Sequence, residues 1–168
     1  MNQAQQLYTI NLTPPQEDHE AIGRALMEAA KTPSRAQVDT IEAGLLQLPQ
    51  VEIPVEHRFA EQEGLYAREI VIPAGTLMTG RVHKHQHVSI MISGDMTVLT
   101  ETGMQRVKGY HCWICPPGTK RVGYAHAETR WITVHHTDHM KPEGIEDVLC
   151  EPMQALPAPE TKEMPCLS

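Results

Sequence analysis

RVHKHQHVSIMISGD, residues 81–95, decides how this chain is read. It sets His83, His85 and His87 at alternate positions and then runs through apolar residues to Gly94. Alternate positions of a strand share a face, so the three imidazoles fall on one side, with Val82, Val88, Ile90 and Ile92 on the other. Polar rings on one face either line a narrow barrel or hold a metal ion. The apolar opposite face has to be covered by another part of the chain or by a second subunit.

The surroundings of this strand set the fold class. From Val51 onward, Pro54, Pro73, Pro116 and Pro117 interrupt short runs such as LYAREIVI, SIMISGDMTVL, RVGYA and RWITVHH, with Gly75, Gly80, Gly94, Gly103, Gly109 and Gly118 between them. Short strands separated by turn residues predict a sandwich or barrel. Before Val51 the period changes. Ile22, Leu26 and Ala29 recur at helical spacing after Pro14 and Pro15, and Val38, Ile41, Leu45 and Leu48 form a second apolar face after Thr32 as cap and Pro33 as first helical residue. Past Thr137, GIEDVLC predicts one or two helical turns, and the Pro-rich EPMQALPAPETKEMPCLS predicts an extended tail. The expected organisation is a helical extension over residues 1–50, a β-barrel over 51–137, and a short helix and tail over 138–168.

A chain of 168 residues is one ordinary domain. Its 21 acidic residues outnumber its 14 Lys and Arg, so no broad grip on nucleic acid is expected. MNQAQQLYTINLTPPQ has neither a basic start nor an apolar run, and no stretch approaches membrane-spanning length. The expected location is the cytoplasm at synthesis. Cys112 and Cys115 form a C-x-x-C inside YHCWICPPG. Residues three apart on a strand face opposite ways, which suits neither a zinc knuckle nor a redox turn, so buried free thiols are expected.

The stretch from Gly75 to Val134 resembles the cupin superfamily, whose small jelly-roll barrels often hold one metal ion. The first cupin motif runs glycine, five residues, His-x-His, three or four residues, Glu, six residues and glycine. Counting from Gly75 puts Arg81 and His83 in the two His slots, His87 in the Glu slot and Gly94 at the end. The second motif matches Gly109, Pro116, Pro117 and Gly118 with one extra residue in the first gap, and puts Arg121 in its His slot. The resemblance therefore implies a site built from Arg81, His83, His87 and Arg121. Arginine offers only donors and stays protonated, so two guanidinium groups aimed at one point repel a cation. This register predicts no cofactor. It predicts either a cationic pocket for a carboxylate or phosphate, or two arginines turned away into salt bridges.

A second register takes His83 and His85 as the His-x-His pair, with the remaining ligands drawn from His111, His126, His135 or His136. The metal candidates are then His83, His85, His87, His126 and His135, on Fe, Mn, Ni or Zn. Strand residues four apart are separated by about 13 Å. On that geometry His83 and His87 do not share an ion, and at most two of the three alternating histidines do.

Residues 57–76 and 116–137 are similar to segments of small cupin-like proteins encoded by tailed bacteriophages. That likeness implies a non-enzymatic structural or assembly component of a virion, acting as a homo-oligomer and with other virion proteins, without nucleic acid or membrane partners. The alternatives are a metal-dependent cupin enzyme, isomerase or oxygenase, and a barrel in which Arg81 and Arg121 hold an anionic ligand.

Overall fold

A computed structural model describes residues 8–11, 34–46, 50–100 and 102–152. The chain adopts the mainly antiparallel β architecture expected of a jelly-roll barrel. Its elements are β1 (Tyr8–Asn11), α1 (Arg35–Leu45), β2 (Val55–Ala60), β3 (Leu65–Ile72), β4 (Thr76–Thr79), β5 (His87–Thr100), β6 (Gly103–Lys108), β7 (His111–Cys115), β8 (Val122–His136) and α2 (Ile145–Leu149).

Two long strands build the barrel. β8 pairs β4 through its first half, from Leu77↔Tyr124 to Thr79↔Val122, and β3 through its second half, from Leu65↔His136 to Ile72↔Thr129. β5 pairs β7 through its start, from His87↔Cys115 to Met91↔His111, and β6 through its end, from Asp95↔Lys108 to Thr100↔Gly103. β5 and β8 also pair with each other, with register shifts between Met91 and Met96. Such bulges bend a ladder, so each long strand contributes to two faces. One face is β1-β4-β8-β5-β6 and the other β2-β3-β8-β5-β7.

Gly94 sits in that bend. Its φ is +123°, and a Cβ there would meet the Thr129 Cα at 2.7 Å. Only glycine accepts both the dihedral and the approach, which gives a physical reason for the last glycine of the first motif.

α1 covers the first face from outside. Ser34, rather than Thr32, caps it, in a capping box with Gln37, and the helix begins at Arg35 because that reciprocal pair satisfies the first-turn amides. Val38, Ile41 and Leu45 pack on Leu77, Leu99, Val122 and Tyr124. The buried Lys120 ammonium reaches Asp39 at 2.9 Å and Glu42 at 2.5 Å, fastening the helix to the start of β8. Inside the barrel, Ile70, Ile72, Met78, Met91, Met96, Val107 and Ala125 form the main core.

Three expectations change here. Tyr8–Asn11, expected within a helical extension, forms β1 against β4. RVGYA and RWITVHH, expected as two strands, are one continuous β8, because His126 to Glu128 stay extended between partners on either side. Cys112 is exposed while Cys115 is buried, as opposite faces of β7 require, so only one of this pair is a buried thiol. The helix expected before Lys31 and the Pro-rich tail from residue 153 lie outside the described residues. Among the described residues no helix is long and apolar enough to cross a membrane.

Replacing Gly94 by Ala is expected to cost about 1–3 kcal/mol of stability through strain and overlap with Thr129. The midpoint of urea unfolding measures this, and an unchanged midpoint would show that the bend does not need glycine.

Candidate metal centre

Residues directly opposite on paired strands share a face, so the registers above define an inward row. His87 of β5 lies opposite Cys115 of β7, and His135 of β8 opposite Tyr66 of β3. Continuing the Val88↔Val134 pairing sets His87 beside His135, and their rings stack with centroids 4.8 Å apart. The next inward positions are Ser89, Thr133 and Arg68.

His83 reaches the same point from outside the strand. Lys84 and His85 form a bend between His83 and the start of β5. The backbone around His83 is held on two sides. Lys84 N donates to the Leu149 carbonyl at 2.9 Å and Glu151 N to the Val82 carbonyl at 2.8 Å, while Gly118 N donates to the His83 carbonyl at 2.9 Å. The His83 ring consequently lies 4.1 Å from His87 and 4.8 Å from His135, centroid to centroid. The expected 13 Å separation of His83 and His87 presumes an unbroken strand; the bend removes it. One ligand nitrogen from each of the three rings falls within 4.8 Å of the other two.

The remaining sequence candidates lie elsewhere. His85 is exposed on the bend. His126 bonds Thr97 Oγ1 at 2.7 Å and packs edge-on to Tyr124, on the face that carries α1. His111 stacks on Trp113, and His136 is exposed at the end of β8.

The protonation of the cluster suits a metal. Burial, reinforced by the neighbouring histidines and by Arg68 and Arg121, holds His83 down at about 2. Burial, then His87, Arg68 and His85, hold His135 at about 3. Both rings are neutral at physiological pH and keep a lone pair for a cation. His87 Nδ1 donates to the His85 carbonyl at 3.3 Å, because a carbonyl can only accept. In the neutral ring this leaves Nε2 as the lone-pair nitrogen, and it is buried with no hydrogen-bond partner among the described residues. A backbone carbonyl fixing one ring nitrogen while the other is left inward is the arrangement of a metal-ligating histidine.

The arginines complete the picture. Arg81 borders the cavity, but its guanidinium turns to Glu146 at 3.4 Å, to Asp147 and to the Glu151 carbonyl. Arg68 meets the other Glu146 oxygen at 2.8 Å. Two carboxylates of α2, Glu146 and Asp147, therefore partner Arg68 and Arg81, and Arg81 no longer points with Arg121 at one centre as the sequence register had it. Arg121 stays at the cavity wall, with Nη2 2.8 Å from Cys115 Sγ. Burial raises the Cys115 thiol, and His87, Ser89 and Arg121 together outweigh it and bring the thiol to about 7. Cys150 Sγ lies 3.9 Å from His83 Nδ1, and burial pushes its thiol up to about 11.

The cavity beside the cluster is otherwise walled mostly by apolar side chains, Ile70, Ile72, Met78, Met96, Val98 and Trp131, with Thr119 and Thr133 among them. Of the sequence-derived site residues, His83, His87 and His135 converge, Arg121 flanks them, and Arg81 turns away. Sequence reasoning missed Glu146, whose neighbours GIEDVLC carry no motif that marks it.

No protein-family model matches the sequence, and a search of curated proteins returns no match. Among solved structures the chain is similar to a cupin-like protein of Thermotoga maritima, at 14% identity and a TM-score of 0.43, over 51% of this chain and 68% of that one. An acetylacetone dioxygenase of Acinetobacter johnsonii gives 14% and 0.43, over 53% and 66%. The Cupin_2 domain of an XRE-family transcriptional regulator of Enterobacter cloacae gives 11% and 0.44, over 52% and 98%. The jelly-roll assignment rests on the strand order and register of this chain.

The neutral histidines set a pH dependence for the metal-free protein. Their folded values lie far below the unfolded value of about 6.5, so the unfolded chain binds protons that the folded site refuses. Stability is complete above about pH 6.5 and falls as the pH drops towards 3, by at most about 1.4 kcal/mol per group per pH unit. The urea midpoint is expected to be lower at pH 5 than at pH 7.5, and a His83→Phe, His135→Phe variant is expected to flatten the difference.

Proposed function

We propose that the chain is a metal-dependent barrel, an isomerase or oxygenase of a small organic molecule, in which His83, His87 and His135 hold one divalent transition ion. The observation that carries this reading is the convergence of two buried histidines and the half-buried His83 on one point, with His87 Nε2 left without a partner among the described residues. Three imidazoles without a carboxylate suit Fe, Ni or Zn better than Mn. Such an ion supplies Lewis-acid or redox chemistry when bound. The chain's own residues position it: the His85 carbonyl orients the His87 ring, Glu146 and Asp147 partner Arg68 and Arg81, and the apolar side chains with Trp131 line part of the cavity beside it. Metal content of the purified protein, measured by plasma mass spectrometry, tests this. About one equivalent is expected, lost in His83→Ala, His87→Ala and His135→Ala but kept in His85→Ala and His126→Ala. Absence of retained metal in the wild-type protein after loading and desalting would remove the reading.

A second reading, a structural or assembly component, draws on the outer face of β3-β8-β5-β7. There Ile114 is 62% exposed and Ile92 41%, beside the half-buried Val88, Ile90, Ile132 and Val134. Among the described residues no helix lies over this face, since α1 packs on the other. A homo-oligomer that buries this apolar strip fits the pattern. Sedimentation is expected to show an oligomer that Ile114→Lys dissociates; a wild-type monomer removes this form. Detection in purified phage particles by mass spectrometry decides the virion version.

A further inference from the structure

We propose that Arg121 is the anion-binding group of the cavity beside the three histidines, and that its ligand is a small monocarboxylate with an apolar body. The inference rests on the same cavity being the functional site and names the substrate class that cavity takes.

The charge pattern singles out Arg121. Among the described residues, Arg35 pairs with Asp39, Arg58 and Arg130 with Glu69, Arg68 and Arg81 with Glu146, and Arg106 with Asp95. Arg121 is the described arginine with no carboxylate partner; its contact is the Cys115 sulfur. A guanidinium has five donors, so most of its capacity remains for a ligand. One contact to a sulfur leaves most donors of this half-buried guanidinium unused, and the two oxygens of a bound anion satisfy them.

The wall around it defines the rest of the ligand. The Ser89 hydroxyl lines the same cavity and can donate to a carboxylate held by Arg121. Together they suit a ligand with one polar end. The opposite wall is aliphatic, with Trp131 as its aromatic part. A single guanidinium without a carboxylate partner favours a monoanion over a phosphate dianion, and the planar fork of arginine matches the two carboxylate oxygens.

Calorimetric titration of the full chain tests this, in a chelator-stripped form and a metal-loaded form. The probes are benzoate and isovalerate, their neutral amides, and inorganic phosphate. The expected result is that both carboxylates bind the stripped protein, with the amides and phosphate about tenfold weaker or more. Arg121→Gln is expected to lose about tenfold or more for the carboxylates and to leave amide binding unchanged, while Arg121→Lys recovers part of the loss. Weaker carboxylate binding in Ser89→Ala places the ligand in this cavity, because Ser89 does not line the second cavity that Arg121 and Trp131 also border. Equal affinity for benzoate and benzamide, or carboxylate binding unaffected by Arg121→Gln in both forms, overturns the inference. If Arg121→Gln does not fold, the carboxylate-to-amide ratio of the wild type and its fall in Ser89→Ala decide instead. Failure of the metal reading is separately visible. Arg121-dependent binding to protein that retains no metal keeps the anion site and removes the metal centre, whereas retained metal without Arg121-dependent binding does the reverse.

Discussion

The ladder between β5 and β8 is the constraint on which the molecule depends. These two strands pair across the bend near Gly94, and each then pairs with a different neighbour at either end. The bend divides one continuous sheet into two facing layers, and the space between them is the cavity. It also fixes which side chains face each other inside. His87 and His135 sit together because the Val88↔Val134 register places them there, not because either sequence position marks a pair.

Around that ladder, electrostatics is arranged so that a cation is tolerated in a place rich in arginine. Glu146 comes from a five-residue helix near the end of the described chain, yet its two oxygens meet Arg68 of β3 and Arg81 of the segment leading into β5. The same segment supplies the carbonyl and amide that hold the backbone at His83. The carboxyl-terminal turn therefore both positions one histidine and offsets the charge beside it. Arg121 is left as the arginine of the cavity wall without a carboxylate partner, in a lining that combines imidazoles, hydroxyls and guanidinium groups with aliphatic side chains and Trp131.

From His87 onward the alternation predicted the inward His87 and Ser89 and the outward Val88, Ile90 and Ile92 of β5, because side-chain direction on a strand has a period of two residues. RVHKHQ, expected on the same strand, instead holds a bend that leaves His85 exposed. The turn residues between short apolar runs predicted an antiparallel β domain, and the helical period of Val38, Ile41 and Leu45 predicted α1. The spacing from Gly75 to Gly94 pointed to His83 and His87, and the second motif to Arg121, all three of which line the cavity. It did not separate the ligating histidines from the others, since His85 and His126 look no different from His83 and His135 in the sequence.

That separation was decided by tertiary structure. The bend at Lys84 and His85 brings His83 back to His87, and it is held by hydrogen bonds to Leu149, Glu151 and Gly118, all remote in sequence. His135 enters through strand pairing, and Arg81 leaves the site because a carboxylate on α2 draws it away. Local patterning depends on which way neighbouring side chains point, and the sequence carries that directly. Convergence on one point depends on long-range pairing and on where compensating charges land, and those are settled only when the whole chain has packed.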